Sequence, residues 1–229
     1  MTIKEIIEIV TLILGVIYLL LELGQKNAMW VVGIFSSLAA MYLFASEHLW
    51  ASFLLNSYYF FMSFWGIYQW RKDRKILVQD NDVLGQDNEM KNDNRQSIHD
   101  IEKLENDKIT EKGVVEIHLN KLPLKVIIQS LFFLIIGTLG LSYLMIHFEN
   151  PQSYLDSFIA ILSMIATWWL AKAYLQQWLL WIVADSSLAF LCLIQGMPWL
   201  ALLYFFYAVG AAYGFYLWRK KGVYLQEIS

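Results

Sequence analysis

The stretch Gly66-Ile67-Tyr68-Gln69-Trp70-Arg71-Lys72 recurs 148 residues later as Gly214-Phe215-Tyr216-Leu217-Trp218-Arg219-Lys220. Both copies follow the pattern Gly-x-Tyr-x-Trp-Arg-Lys, and no gap is needed to align them. The same offset also aligns several pairs outside this pattern: Trp30 with Trp178, Leu54-Leu55 with Leu202-Leu203, and Tyr59 with Tyr207. Tyr and Trp are common at membrane interfaces, so aromatic matches alone count for little. The complete pattern, however, predicts an internal duplication.

The composition around this repeat is that of a membrane protein. Hydrophobic residues make up 58% of the 229-residue chain and charged residues only 16%, against about 25% in a typical soluble domain. A soluble fold of this size could not bury so much apolar surface. The single Cys192 excludes a disulfide framework. Four scattered histidines show no metal-ligand spacing, so we expect neither a metal nor a cofactor.

The apolar runs predict seven transmembrane helices, because crossing about 30 Å of hydrocarbon takes roughly 20 helical residues. Met1 to Glu8 has no basic segment typical of a signal peptide, so we expect the first apolar run to remain as a helix. Gly196-Met197-Pro198 divides the last long run in two. The predicted spans are residues 6–24, 28–46, 49–70, 124–146 and 154–172, with the sixth and seventh within 173–218.

The repeat and the span count together predict an all-α integral membrane fold with a 3+1+3 arrangement. Three helices form an odd number, so two successive copies would insert in opposite directions unless a single helix separates them. Parallel repeats of this kind occur in transporters, with the solute site near the midplane between the repeats. The predicted units are 1–72 (first repeat), 73–123 (polar linker), 124–147 (linking helix), 148–221 (second repeat) and 222–229 (tail). The alternative is a duplicated structural bundle without a transport path.

The distribution of basic residues predicts the orientation. Residues 71–123 contain more than half of the charged residues and no Phe, Tyr or Trp. Because cytoplasmic loops are enriched in Lys and Arg, we place this linker and the C-terminus in the cytoplasm and the N-terminus outside, in the cell inner membrane. Every Lys and Arg except Lys4 then faces the cytoplasm. We expect the linker to be a partly disordered tether with a short helix at 97–112.

Asp185 is the strongest candidate for a solute-binding residue. It lies deep in an apolar run, where a charged side chain costs on the order of 2.5–3.5 kcal/mol. Trp178 and Trp181 precede it at spacings that place all three on one helix face. Two indoles and a carboxylate can stack a flat ring and meet its positive charge. The alternative is that the tryptophans pack within the bundle and Asp185 bonds to a neighbouring helix.

Further polar candidates lie in the third and seventh spans. Asn56 is mid-span with Tyr59 on the same side, and it could bind an amide or hydroxyl of the solute or simply join two helices. Tyr207 is the repeat counterpart of Tyr59, as Ser37 is of Asp185. Glu22 lies near the end of its span, where we expect the side chain to reach water.

The stretch Trp178-Leu179-Leu180-Trp181-Ile182-Val183-Ala184-Asp185, followed by Gln195-Gly196, resembles the PnuC family of vitamin transporters, whose corresponding helix carries Trp-x-x-Trp-x-x-x-Asn/Asp. The resemblance covers nearly the whole chain outside the linker. It implies a 3+1+3 fold like that of a full-length SWEET transporter, facilitated diffusion, trapping through phosphorylation by a cytosolic vitamin kinase, and a homotrimer. It maps solute contacts onto Trp178, Trp181 and Asp185, and more loosely onto Asn56.

The resemblance leaves the vitamin open. Nicotinamide riboside is the main solute of the family, and other branches are assigned to thiamine and riboflavin. Here Asp185 stands where nicotinamide riboside carriers usually have Asn, and Asn56 stands where some of them have Gln. Nicotinamide riboside and thiamine are flat cations that suit Asp185, whereas riboflavin is neutral.

An enzyme is the less favoured class. The chain has no Walker A loop, no His/Glu metal set and no nucleophile and base at a common membrane depth. We therefore expect a transporter that works with a small cationic vitamin-like solute and the lipid bilayer, without catalytic residues and without a nucleic-acid partner.

Overall fold

The computed structural model describes residues 15–46, 50–92, 117–147, 154–194 and 198–225. Within these ranges the chain forms seven helices and two very short strands. The helices are α1 (15–23), α2 (Ala28–Ser46), α3 (Trp50–Asn92), α4 (Leu124–His147), α5 (Tyr154–Ala171), α6 (Gln177–Ile194) and α7 (Pro198–Lys221), and the strands are β1 (His118–Leu119) and β2 (Val223–Tyr224).

From α2 onward the helices agree with the predicted spans to within a few residues, with one exception. Residues 6–14 of the first predicted span lie outside the described residues. Helices α4 to α7 are each long and apolar enough to cross a membrane, by length and composition. The exception is α3, which continues to Asn92 although its predicted span ends at residue 70. No Pro or Gly interrupts residues 71–84, so the backbone hydrogen bonding continues through polar sequence. The helix predicted at 97–112 lies outside the described residues.

Helices α1 and α5 end in the same turn, at positions 148 residues apart. Gln25 and Ala173 both adopt the left-handed conformation, with φ of 47° and 53°. In each turn, the amide of this residue donates to the carbonyl three residues earlier, and the next amide donates to the carbonyl five residues before itself. These two bonds define a Schellman cap. The duplication therefore extends to the backbone hydrogen bonds of a loop whose two sequences differ.

Tryptophan and glycine pairs join the second and third helices of each repeat. Trp30 of α2 packs on Gly66 of α3, and Trp178 of α6 packs on Gly214 of α7. Both indoles are 1% exposed. A Cβ at either glycine would overlap the indole, so only glycine allows this approach. The packing explains why glycine recurs in the pattern Gly-x-Tyr-x-Trp-Arg-Lys.

The tryptophans of that pattern connect one repeat to the other. Trp70 Nε1 donates to the carbonyl of Leu170 in α5 (3.1 Å), and Trp218 Nε1 donates to the carbonyl of Leu23 in α1 (3.0 Å). Each of these bonds therefore ties one repeat to the first helix of the other. The two indoles also meet edge to face, with 6.5 Å between their centroids. Both are fully buried, so they form part of the main hydrophobic core.

The end of the bundle that carries Lys26, Arg71-Lys72 and Arg219-Lys220-Lys221, which we call the basic end, is closed by the two strands. Strand β1 pairs in parallel with β2 and thereby ties the last residues of the linker to the tail. The Gln25 side chain makes two hydrogen bonds to the backbone of His118, at 2.9 and 2.7 Å.

Asp73 collects further contacts at the basic end. Its carboxylate lies 3.4 Å from His118 Nε2 and accepts hydrogen bonds from Asn120 and Gln69. Burial and the nearby Asp73 charge raise the pKa of Tyr174.

The sequence did not predict strands β1 and β2, because two paired residues leave no periodic pattern.

Candidate functional site

Asp185 lies among tyrosines from α3 and α7. It is 8% exposed, although it belongs to an apolar helix. The side chains of Tyr59, Tyr204 and Tyr207 lie within electrostatic range of its carboxyl group. Their phenol groups give it polar neighbours that can donate hydrogen bonds. The structure thus brings together three of the predicted site residues, namely Tyr59, Tyr207 and Asp185.

Two tyrosines of α3 attach this helix to α5 of the other repeat. The Tyr59 side chain hydrogen bonds to the Ser163 side chain. Its neighbour Tyr58 donates from Oη to the carbonyl of Met164, at 2.7 Å. Because adjacent residues bond to adjacent residues of α5, the position of Tyr59 relative to α5 is fixed.

Tyr207 makes the equivalent approach to α1. Its hydroxyl lies over Gly15, and a Cβ at Gly15 would overlap the Tyr207 oxygen. At the offset of 148, Tyr207 corresponds to Tyr59, and Ser163 corresponds to Gly15. A tyrosine of each repeat therefore contacts the equivalent position on the first helix of the other repeat. In one case the tyrosine meets a serine hydroxyl, and in the other it fills the space left by a glycine.

The two motif tryptophans differ in their surroundings. Trp178 is 1% exposed, with its ring against Gly214 and 5.3 Å from the Trp218 centroid. Since Trp30 packs on Gly66 and Trp70 in the same way, these contacts of Trp178 belong to the duplicated scaffold. Its assignment as a solute contact stays a prediction.

Trp181 is only partly buried, and its counterpart in the first repeat is Gly33. The buried indole Nε1 of Trp181 has no hydrogen-bond acceptor within the described ranges. A buried donor without a partner is costly. Trp181 thus provides both an aromatic face and a free donor near Asp185, four residues further along the same helix.

Asn56 is partly buried in α3, one turn before Tyr59. Its counterpart at the offset is Tyr204, which lies near Asp185. The sequence analysis did not single out Tyr204 or Ser163. Applying the offset to Asn56 would have identified Tyr204, whereas Ser163 has no polar counterpart and is recognised only through its contact with Tyr59.

The expectation that Glu22 reaches water is wrong. The side chain is 5% exposed and lies within electrostatic range of Asp185 and Tyr18. Position in the sequence suggested the end of a span with access to water, but the packed helices bury the side chain. Its carboxylate therefore faces the interior of the bundle.

The polar groups described above form no metal centre. Within the ranges that the structure describes, no three His, Cys, Asp or Glu side chains are placed to hold a metal ion. The arrangement consists instead of carboxyls, phenols and an indole, which can bind an organic solute by charge, hydrogen bonding and stacking.

Comparison with solved structures finds a structural match to a protein described as the vitamin B3 transporter PnuC. The TM-score is 0.58 at 17% sequence identity, and the match covers 91% of this chain and 78% of that chain. At this level of identity the likeness shows the fold alone. No curated protein matches the chain.

A family model described as nicotinamide mononucleotide transporter matches residues 5–220. This match covers the helices of both repeats as well as the linker. The resemblance to the PnuC family seen in the sequence is thereby confirmed. The chain is a multi-pass membrane protein that belongs to the nicotinamide mononucleotide transporter family.

Proposed function

We propose that this protein carries a small, flat, positively charged vitamin across the cell inner membrane, with nicotinamide riboside as the first candidate. The observation that carries the proposal is the buried Asp185 carboxyl group, with Tyr59, Tyr204 and Tyr207 around it and Trp181 on the same helix. A cationic ring can stack on the indole and offset the negative charge of the acid.

A phosphorylated solute suits this site less well. The matching family model is described by nicotinamide mononucleotide, which carries a phosphate. Phosphate sites in proteins use Arg, Lys or helix N-termini. Within the described helices, the residues around Asp185 are acidic, phenolic or aromatic. We therefore favour the riboside over the mononucleotide.

Thiamine is the alternative vitamin, and a specific residue favours it. Asp185 occupies a position where the resemblance leads us to expect Asn for nicotinamide riboside. Thiamine also combines a flat ring with a fixed positive charge. Riboflavin is the third candidate, but it is neutral and gains less from the carboxylate.

The proposed architecture is the 3+1+3 arrangement of two parallel repeats, with α4 as the linking helix. Support comes from the equivalent Schellman turns, the equivalent Trp–Gly contacts and the reciprocal hydrogen bonds of Trp70 and Trp218. In the proposed orientation the basic end faces the cytoplasm and the N-terminus lies outside. A homotrimer fits the broad exposed apolar surface of α4, which otherwise contacts lipid.

The proposed mode is facilitated diffusion followed by trapping. A vitamin that crosses down its gradient is retained once a cytosolic kinase adds a phosphate, because the product no longer suits an acidic site. The protein itself performs no catalytic step in this scheme. An uptake rate that does not respond to an imposed pH gradient is the expected behaviour of proteoliposomes.

The experiment that tests the proposal is binding to the purified protein, followed through intrinsic tryptophan fluorescence. Nicotinamide riboside, thiamine and riboflavin are titrated separately. We expect saturable quenching by one of the two cations, and loss of this quenching in Trp181→Ala and in Asp185→Ala. Ser37→Ala, at the repeat counterpart of Asp185, serves as the matched control and keeps the binding.

Two outcomes would contradict the proposal. Quenching by none of the three vitamins would remove the assignment of the solute class. Binding without flux in proteoliposomes would indicate a binding subunit instead of a transporter.

A further inference from the structure

Glu22 is the buried acid that the family motif does not include. It lies in α1, and 5% of its surface is exposed. Its Oε1 atom is buried and has no hydrogen-bond partner in the part of the chain that the structure describes. A carboxylate oxygen that loses its water without gaining a partner is destabilising. We therefore expect the Glu22 side chain to gain a favourable partner when the protein binds its solute.

The neighbours of Glu22 do not supply a positive charge. Those within electrostatic range are Asp185 and Tyr18, and Tyr18 in turn lies near Tyr59. The described Lys and Arg residues lie in loops, at the start of α4, at the end of α7 and in the part of α3 beyond residue 70, and Glu22 forms no salt bridge with any of them. Two carboxyls, joined by phenols, therefore share a poorly solvated region without a cation.

The second repeat confirms that the fold itself does not require an acid at this position. The counterpart of Glu22 is Leu170, which is fully buried in an equivalent helix before an equivalent turn. A leucine satisfies the packing there. Burying Glu22 therefore destabilises the first repeat, and the packing at this position does not require an acid.

From this geometry we infer that Glu22 is the second acid of the solute site and determines its preference for positively charged solutes. The inference rests on the proposed function. The class of solute is a flat organic monocation that also carries an amide or amine donor. One carboxylate then lies near the positive ring while the other accepts the donor hydrogen bond, and each is worth more in this environment than in water.

The same arrangement discriminates against other solutes. A neutral ring of identical shape leaves both carboxyls without compensation, and an anionic ring adds a third negative charge. Specificity of this kind is a difference between two affinities. The relevant measurement is therefore the ratio of affinities for a cation and its neutral analogue, because a defect in folding or packing would lower both affinities together.

The test uses nicotinamide riboside and 1,4-dihydronicotinamide riboside, which have nearly the same shape but differ in the charge of the ring. If thiamine is the vitamin that binds, thiamine and its neutral oxidised derivative thiochrome replace this pair. Affinities are measured by tryptophan quenching or by competition in wild type, Glu22→Gln and Glu22→Asp. We expect the cation-to-neutral ratio to fall about tenfold in Glu22→Gln, equivalent to about 1.4 kcal/mol, and to recover in part in Glu22→Asp.

Glu22→Leu, which copies Leu170, gives the same comparison if the glutamine variant does not fold. A ratio that stays at the wild-type value in a folded variant would overturn the inference while the proposed function stands. If neither cation binds to the wild-type protein, both the proposed function and this inference are wrong.

Discussion

The two repeats share a scaffold but differ in the residues that surround Asp185. Gln25 and Ala173 turn the chain with the same left-handed φ. Trp30 and Trp178 pack on equivalent glycines and are equally buried. The helices, turns and indole contacts are thus the same in both copies, so they form the scaffold that holds the residues around Asp185.

Three of the positions at which the repeats differ bear on the proposed site. Glu22 corresponds to Leu170, Gly33 to Trp181, and Ser37 to Asp185. Each repeat thus supplies one acid, from a different helix. A site that is chemically asymmetric can bind an asymmetric solute, with a ring on one side and a donor on the other. The comparison separates residues that build the fold from those that select the solute.

The largest expected effect tests the equivalence of the two scaffolds. Gly66→Ala and Gly214→Ala each place a methyl group into an indole. We expect each to lower the free energy of unfolding by about 1–3 kcal/mol, because fully buried indoles in a packed core cannot move aside. Gly140→Ala is the matched control, since no atom lies within 4 Å of its Cβ position. Thermal unfolding in detergent measures all three.

A variant at either glycine that is as stable as Gly140→Ala would break the equivalence of the repeats. Unequal losses at Gly66 and Gly214 would show that one repeat carries more of the core.

The second prediction concerns Tyr207, which contacts the first helix of the other repeat. Gly15→Ala displaces the Tyr207 hydroxyl and thereby moves it relative to Asp185. We expect about tenfold weaker vitamin binding. Ser163→Ala removes only a hydrogen bond to Tyr59, so we expect a smaller loss of binding free energy, about 0.5 kcal/mol. Titration of the vitamin against each purified variant measures the difference.

The control for this prediction is the pair of variants that contain Tyr207→Phe, with and without Gly15→Ala. Because the overlapping oxygen is gone, we expect Gly15→Ala to cost less in this background than in wild type. An equal cost in both backgrounds would contradict a direct contact between Gly15 and Tyr207.

The smallest effect separates the two equivalent turns. Ala173→Gly relieves a left-handed alanine, but glycine also gains freedom in the unfolded chain, so we expect a stabilisation of up to about 1 kcal/mol. Gln25→Gly relieves the same strain but loses both hydrogen bonds to the His118 backbone. We expect a net loss of about 1–2 kcal/mol. The shift in thermal midpoint gives the sign, and a gain in both variants would exclude a structural role for the Gln25 side chain.

The predictability of the site from the sequence depended on whether a residue lay in a pattern. The Trp-x-x-Trp-x-x-x-Asp spacing led to Trp181 and Asp185, and the constant offset led to Tyr59 and Tyr207. Glu22 was misjudged because its distance from the end of a span suggested contact with water. Its burial, and its proximity to Asp185, depend on how the helices pack, which the position in the sequence does not show.

The sequence by itself determined the membrane class, the spans of most helices and the duplication, because all three depend on local apolar length and on repeated residues. The tertiary structure alone decided which residues meet. The reciprocal bonds of Trp70 and Trp218 join residues 100 and 195 positions apart, and strand β1 reaches β2 across four helices. Contacts of this range depend on how the helices pack, and no local pattern in the chain encodes them.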